Sequence, residues 1–243
     1  MICKTRAIVS GLVDILFPPQ CVLCGDSMGK VGQFSFCPQC LAGLNRIGPP
    51  LCTSCGLPFS DVYGTNHLCG DCISSQPPFT VARALGRYEQ SLLDAIHLFK
   101  YSSKIAIGEK LGEMMAHYDY DSFDIRDYSL IIPVPLHPIR LRKRGFNQSV
   151  ILARHIAHRF SLPLDFSALR RRVDTVPQVN LGKTERGKNI KGAFEVVCSE
   201  KIRDQKVLLV DDVYTTGSTV RECTRTLLRG RAKEVAVLTL ARA

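Results

Sequence analysis

With 243 residues and 45% hydrophobic content, the chain has ample core for one domain of about 160 residues and a smaller one that needs metal to fold. No apolar run reaches the roughly 18 residues of a membrane span, and the opening segment lacks a secretory pattern: Lys4 and Arg6 precede an apolar run that Asp14 interrupts, with no small-residue cleavage site after it. A cytoplasmic protein is expected, and a formal charge of +10 makes polyanions the ligands to consider.

In chain order, residues 5–17 fit a short amphipathic helix that stops at Pro18-Pro19 and packs on the body of the protein. Eight of the eleven cysteines then form four Cys-x-x-Cys pairs, Cys21/Cys24, Cys37/Cys40, Cys52/Cys55 and Cys69/Cys72, separated by 12, 11 and 13 residues. Each pair can grip a metal from a tight turn, and two pairs complete a tetrahedral thiolate set, so eight ligands serve two structural Zn²⁺ ions. Sequential pairing is expected, with Cys21, Cys24, Cys37 and Cys40 on one ion and Cys52, Cys55, Cys69 and Cys72 on the other; spacing alone leaves a cross-braced arrangement open. His67 lies near the last pair, but a full cysteine set gives it no place as a ligand. Disulfides would require an oxidising compartment. A closed four-cysteine site has no open position for a reacting water, so the metals are structural.

Pro77-Pro78 marks the boundary between a metal-binding segment, 1–78, and a second domain, 79–243. In the second domain, helices are expected near 91–100, 105–117, 147–160 and 218–229, and strands near 129–134, 164–169, 193–197, 206–211 and 234–240. The positive charge is concentrated there. Residues 138–193 carry thirteen Lys or Arg against three acids, whereas residues 1–80 hold four of each sign. An apolar strand broken by prolines, Ile131-Ile132-Pro133-Val134-Pro135-Leu136-His137, leads into Arg140-Leu141-Arg142-Lys143-Arg144-Gly145-Phe146-Asn147-Gln148, and a second basic stretch starts at Arg170-Arg171-Arg172. From Gln178 to Lys191 few apolar anchors remain, as in a long mobile loop that is either a functional lid or disordered.

The run Val207 to Val210 does not alternate with polar residues, so it reads as a strand covered on both faces. Asp211 and Asp212 then fall at its carboxyl end, where open α/β sheets place their ligand crevice. Two adjacent carboxylates suit the paired hydroxyls of a ribose and can help hold Mg²⁺ through water. Thr215, Thr216, Gly217, Ser218 and Thr219 supply hydroxyls and free backbone N–H groups at a helix start, which suits a phosphate. A response-regulator receiver carries its acidic pair near the start of its domain, yet only 31 residues follow Asp212. A P-loop is excluded because Pro177 stands where the first glycine before Gly182-Lys183-Thr184 is required. Helix capping alone does not call for a buried pair of acids followed by five small or hydroxylated residues.

Residues 207–219 resemble the phosphoribosyl-pyrophosphate (PRPP) signature of type I phosphoribosyltransferases. Taken with Pro133 to His137, Arg144 to Gln148, the spaced Gln178, Leu181, Arg186 and Asn189, Ala193-Phe194, Ala241-Arg242 and the four cysteine pairs, the chain resembles the ComF family over nearly its whole length. The resemblance implies an α/β fold: a type I phosphoribosyltransferase-like twisted, mostly parallel sheet with flanking helices, preceded by a small double zinc ribbon. It implies Asp211 and Asp212 on the ribose hydroxyls, Thr215 to Thr219 around the 5′-phosphate, Leu136 and His137 in the pyrophosphate loop, PRPP with Mg²⁺ as the ligand, and a link to natural competence and the use of external DNA.

Two kinds of function follow. In an enzyme, Arg144 would donate to the pyrophosphate and Arg186 or Lys188 would close over it as it leaves, so that catalysis is charge stabilisation and positioning. No motif identifies an acceptor. In a binding protein, the fold would serve as a non-catalytic PRPP sensor or as a platform on which Arg140, Arg142, Lys143, Arg170, Arg171 and Arg172 hold single-stranded DNA in a salt-dependent, sequence-indifferent manner, with DNA-uptake or recombination proteins as further partners. Phe146 and Phe194 are stacking candidates whose simpler role is in the core.

Overall fold

A computed structural model of the chain describes residues 18–28, 36–61, 63–101, 104–174 and 190–243. The expected helix at 5–17 and most of the expected lid, including Gln178, Leu181, Arg186, Lys188 and Asn189, lie outside the described residues.

Two short helices, α1 (Pro38–Ala42) and α2 (Gly70–Ser74), sit in the cysteine-rich segment. After them come β1 (Ala82–Arg87), α3 (Gln90–Tyr101), α4 (Ile105–His117), β2 (Leu130–Pro133), α5 (Pro138–Arg144), α6 (Gln148–Phe160), β3 (Leu169–Arg171), β4 (Phe194–Val196), β5 (Lys206–Tyr214), α7 (Ser218–Arg229) and β6 (Glu234–Arg242). Four strands make one parallel sheet in the order β1-β6-β5-β2. Successive residues of a strand face opposite sides, so β5 feeds two cores. Val207 and Leu209 pack with Val220, Cys223 and Leu227 of α7. Leu208 and Val210 pack with Leu92 and Phe99 of α3, Leu111 of α4, and Leu152 and Ile156 of α6. Burial of this kind is worth about 25 cal/mol per Å² of apolar surface, and it places helices on both sheet faces.

The cysteine-rich segment is built into this body. Backbone bonds from Ile47 N to Leu85 O (3.0 Å), Ala82 N to Ser54 O (2.7 Å) and Arg87 N to Asn45 O (2.9 Å) cover the outer edge of β1, which leaves no open strand there to aggregate. Gly56 has φ +66, and a Cβ on it would lie 2.6 Å from Ala82 O, so only glycine lets the turn after Cys55 approach the strand. Arg83, though buried, donates from Nε to Asp121 O (2.8 Å) and from Nη1 to Thr53 O (3.2 Å), satisfying its charge with backbone carbonyls.

The strand expected at 164–169 is not one strand. Leu164 makes an isolated parallel bridge to Ile131, and then the Asp165 carboxylate accepts from Ser167 N (2.7 Å) and Ala168 N (2.6 Å), folding the chain into an Asx turn. Past this turn β3 pairs antiparallel with β4, so the strand expected at 193–197 belongs to a separate two-stranded sheet. β1 and α5 were not expected. The first contains Gly86 and an inward arginine, and the second opens on Pro138 and is dominated by cations, so neither shows the apolar period of its element.

Candidate functional site

Asp211 and Asp212, expected at the carboxyl end of a strand near 206–211, lie within β5, which runs on past them. Register with β6 persists through Val213↔Ala241 and Tyr214↔Arg242, which extends the strand to Tyr214. On the other edge the last links to β2 are Pro133↔Val210 and Val134 N to Val210 O (2.8 Å), so among the described residues no strand pairs with β5 there beyond Val210. Adjacent strand residues point to opposite faces, yet both carboxylates reach the cavity that this missing neighbour opens.

The cavity holds about 490 Å³. Asp211 and Asp212 line it together with Thr215, Thr219, Leu136, Arg140, Arg144 and Arg171, all singled out in the sequence. Asp211 accepts from Ser149 Oγ (3.0 Å) and from Asp212 N (2.9 Å). Burial, and next the negative neighbour Asp212, push the Asp211 carboxyl up to about 7. Asp212 is held by Lys100, whose Nζ lies 2.7 Å from Oδ2. Burial opposes the Lys100 charge, but Asp212 prevails and raises its pKa above the ordinary lysine value.

Past Tyr214 the chain turns at Thr215-Thr216-Gly217 and enters α7. Gly217 has φ +74, and a Cβ there would come within 2.4 Å of Tyr214 Oη, so the turn is closed to other residues. Thr216 Oγ1 and Ser218 Oγ are 2.9 Å apart and face a second cavity on the far side of the loop, not the one holding the acids. His137 lies outside the first cavity's lining: it caps α5 by accepting from Ile139 N at Nδ1 (3.4 Å). Arg142, Lys143 and Arg172 are exposed outside it, and Arg170 is occupied by Glu195 at 2.6 Å. Phe146 stacks on Phe99, and Phe194 is buried beneath the Arg171 guanidinium.

Sequence reasoning missed one wall of the cavity, which Tyr88, His97, Lys100 and Tyr101 provide. His97, Lys100 and Tyr101 share one face of α3 by their i, i+3, i+4 spacing, a polar stripe on a helix whose other face is core. Gln148, buried at 1% exposure, was also missed as a lining residue; its Nε2 has no partner among the described residues. A buried amide donor left in that state favours an acceptor-rich ligand such as a phosphate.

The eight paired cysteines gather into two sets, Cys21, Cys24, Cys37 and Cys40, and Cys52, Cys55, Cys69 and Cys72, with all sulfurs of each set within 4.8 Å of one another. In the first, Cys37 N donates to Cys21 Sγ (3.3 Å); in the second, Cys69 N and Cys55 N donate to Cys52 Sγ (3.3 and 3.5 Å). Burial alone would raise these thiols, but the backbone donors prevail and lower Cys21 to about 6 and Cys52 to about 7. Four converging sulfurs fed by backbone N–H groups fit tetrahedral Zn²⁺. His67 does not join the set: it stacks on Phe59 and its Nδ1 lies 2.8 Å from Thr65 O.

Residues 12–73 match the double zinc ribbon domain family, and residues 147–243 match the phosphoribosyl transferase domain family. The chain is thus a double zinc ribbon joined to a type I phosphoribosyltransferase-like α/β fold. It is 32% identical to the DNA utilization protein YhgH of Shigella flexneri, over 93% of this chain and 97% of that one, and 29% identical to competence protein F of Haemophilus influenzae, over 92% and 97%. Competence protein ComFC of Streptococcus pneumoniae is 26% identical over 92% of this chain and all of that one. The chain belongs to the ComF family. Among the described residues no helix is long and apolar enough to cross a membrane.

Proposed function

We propose that this protein binds PRPP with Mg²⁺ in the cavity at the end of the sheet and serves the handling of external DNA in the cytoplasm, with the domain boundary near Pro77-Pro78. The observation that carries the reading is the composition of one cavity: two carboxylates, the threonines of a helix-opening loop, and Lys100, Arg140, Arg144 and Arg171 around them. A ligand that is a sugar in its middle and a phosphate at each end matches that distribution. Asp211 and Asp212 accept the ribose hydroxyls, and the loop receives the 5′-phosphate through its backbone N–H groups and the hydroxyls of Thr215 and Thr219, the two that line this cavity. The Arg144 guanidinium, whose Nη1 donates to Gln148 Oε1 (2.7 Å), and the Gln148 Nε2 donor face the pyrophosphate. Mg²⁺ favours oxygen donors, and the acidic pair supplies them; bound with PRPP it would neutralise the pyrophosphate charge. Names given to relatives, competence protein and DNA utilization protein, support the biological setting.

Calorimetry with PRPP and Mg²⁺ on the intact protein and on Asp211→Ala/Asp212→Ala tests the site. Heat from the first and none from the second is expected; no heat from the intact protein removes the reading. Pyrophosphate release against a panel of nucleobases then separates a transferase from a binding protein.

A second reading, binding of single-stranded DNA, is favoured by a separate groove of about 670 Å³. Leu141, Phe146, Phe166 and Val197 line it, with Arg154 and Arg170 at hand, and Phe166 is 65% exposed. Exposed aromatics beside arginines stack bases and hold backbone phosphates. Arg142, Lys143 and Arg172 extend the positive surface nearby in the chain. Binding to an oligonucleotide should weaken steeply as salt rises and weaken further in Phe166→Ala; a salt-independent affinity contradicts it.

A further inference from the structure

One side chain links the second cysteine set to the Thr215–Thr219 loop. Arg242, the last residue of β6, donates from Nη1 to Thr215 O (2.9 Å) and Tyr214 O (3.3 Å), and its Nη2 lies 3.9 Å from Cys55 Sγ. Its guanidinium also stacks on the Tyr214 ring, 4.1 Å from the centroid. Tyr214 in turn underlies the left-handed turn at Gly217. One planar fork therefore touches the entry of the Thr215–Thr219 loop directly, its glycine through Tyr214, and the second cysteine set from its other nitrogen. Around this contact, Cys55 and Cys72 share a second cavity with Thr215, Thr216, Ser218 and Arg242. The four cysteines of that set are buried in the same apolar cluster as Tyr214 and Val220.

We propose that Arg242 is a positioning residue that couples zinc in the Cys52/Cys55/Cys69/Cys72 set to the phosphate-holding conformation of the Thr215–Thr219 loop; this rests on the PRPP reading of that loop. The physical basis is charge and geometry together. Four thiolates around Zn²⁺ carry a net negative charge that attracts a guanidinium, and a metal-fixed turn holds Cys55 where Nη2 can reach it. With the ion gone, nothing holds the four sulfurs together or keeps them all as thiolates, and Arg242 loses the anchor that sets where Nη1 meets Thr215 O. Cys21, Cys37 and Cys40 of the first set pack with the cluster on the opposite sheet face, and among the described residues that set has no such link, so it is an internal control.

Coupling between sites is reciprocal: if zinc favours PRPP binding, PRPP must hold zinc. The test uses the full-length, zinc-loaded protein. Zinc is withdrawn by a zinc-selective chelator in the presence of a thiol-alkylating reagent, with and without saturating PRPP and Mg²⁺, and peptide mass spectrometry follows each cysteine. PRPP should slow alkylation of Cys52, Cys55, Cys69 and Cys72 by about fivefold or more, the lower end of common coupling strengths, and leave the first set unchanged. Arg242→Met should erase the difference. Arg242→Lys, which keeps the charge but lacks the fork, should weaken it while the protein remains folded. If PRPP binds and protects neither set, or protects both equally, the coupling is wrong; equal protection is only ligand stabilisation of the whole fold. Selective protection that survives intact in both variants removes Arg242 from the mechanism. If PRPP does not bind the intact protein, the loop reading falls first and the coupling with it.

Discussion

The Lys100 ammonium sits 2.7 Å from Oδ2 of Asp212, tying the last turn of α3 to the edge of β5 where the sheet opens. Both side chains are largely shielded, at 17% and 15% exposure. Lys100 also lowers the charge repulsion that Asp212 exerts on Asp211, so one lysine from outside the phosphoribosyl transferase match stabilises both acids.

Removing one partner of such a pair should cost far more than removing both. Lys100→Met leaves Asp212 unpaired in a poorly solvated site and is expected to lower unfolding stability by about 3 kcal/mol, while Lys100→Met/Asp212→Asn recovers most of the loss. Urea unfolding of the two variants and wild type checks this. Equal losses in the single and double variants would mean that the pair is solvated.

The raised Asp211 pKa gives a signed dependence on pH. Its carboxyl titrates near 7 in the folded protein against 3.8 for the free group, so the folded state holds the proton more tightly. That contribution to stability is complete below about pH 4 and disappears as pH climbs through about 7. Asp211→Asn should remove this slope and be the more stable protein at pH 8. PRPP affinity should rise with pH over the same window, because ribose hydroxyls donate best to an ionised carboxylate. Thermal melts and calorimetry across pH 5 to 8.5 read both effects, and parallel curves for wild type and variant would refute the assignment.

Metal content should be two zinc ions per chain, measured by mass spectrometry of the acid-digested protein. Every cysteine of the second set is buried, whereas Cys24 of the first is exposed. Cys55→Ser should therefore lower the melting temperature more than Cys24→Ser, each leaving one ion bound. The reverse order would contradict a second set embedded in the core.

Gly217→Ala places a methyl where Tyr214 Oη stands and asks an L-residue to adopt φ +74. The left-handed backbone alone costs roughly 1–2 kcal/mol, and the displaced Tyr214 adds to it. PRPP binding should weaken at least tenfold, whereas Thr216→Ala, whose hydroxyl faces away from the acidic cavity, should change it little. Calorimetric titration of the two variants separates them.

Local chemistry was legible in the letters. The spacing of Cys21 to Cys72 marked four metal-gripping pairs, because a Cys-x-x-Cys turn presents its sulfurs whatever the surroundings, while the fold decided which pairs join. The unbroken run Val207 to Val210 determined a doubly covered strand, and α4 and α7 ended where their apolar periods did. What the sequence could not hold was anything set by a distant neighbour. Whether β5 stops at Asp211 or continues to Tyr214 depends on pairing with β6, and whether both acids share a cavity depends on where β2 ends. Residues 164–171 divide between two sheets because one aspartate captures the backbone. Lys100 became a partner of Asp212, and Arg242 a bridge from Cys55 to Thr215, only when folding brought segments remote in sequence within hydrogen-bonding reach. Periodicity and motif spacing report interactions along the chain; contacts that close the site are made across it, and tertiary structure alone decides them.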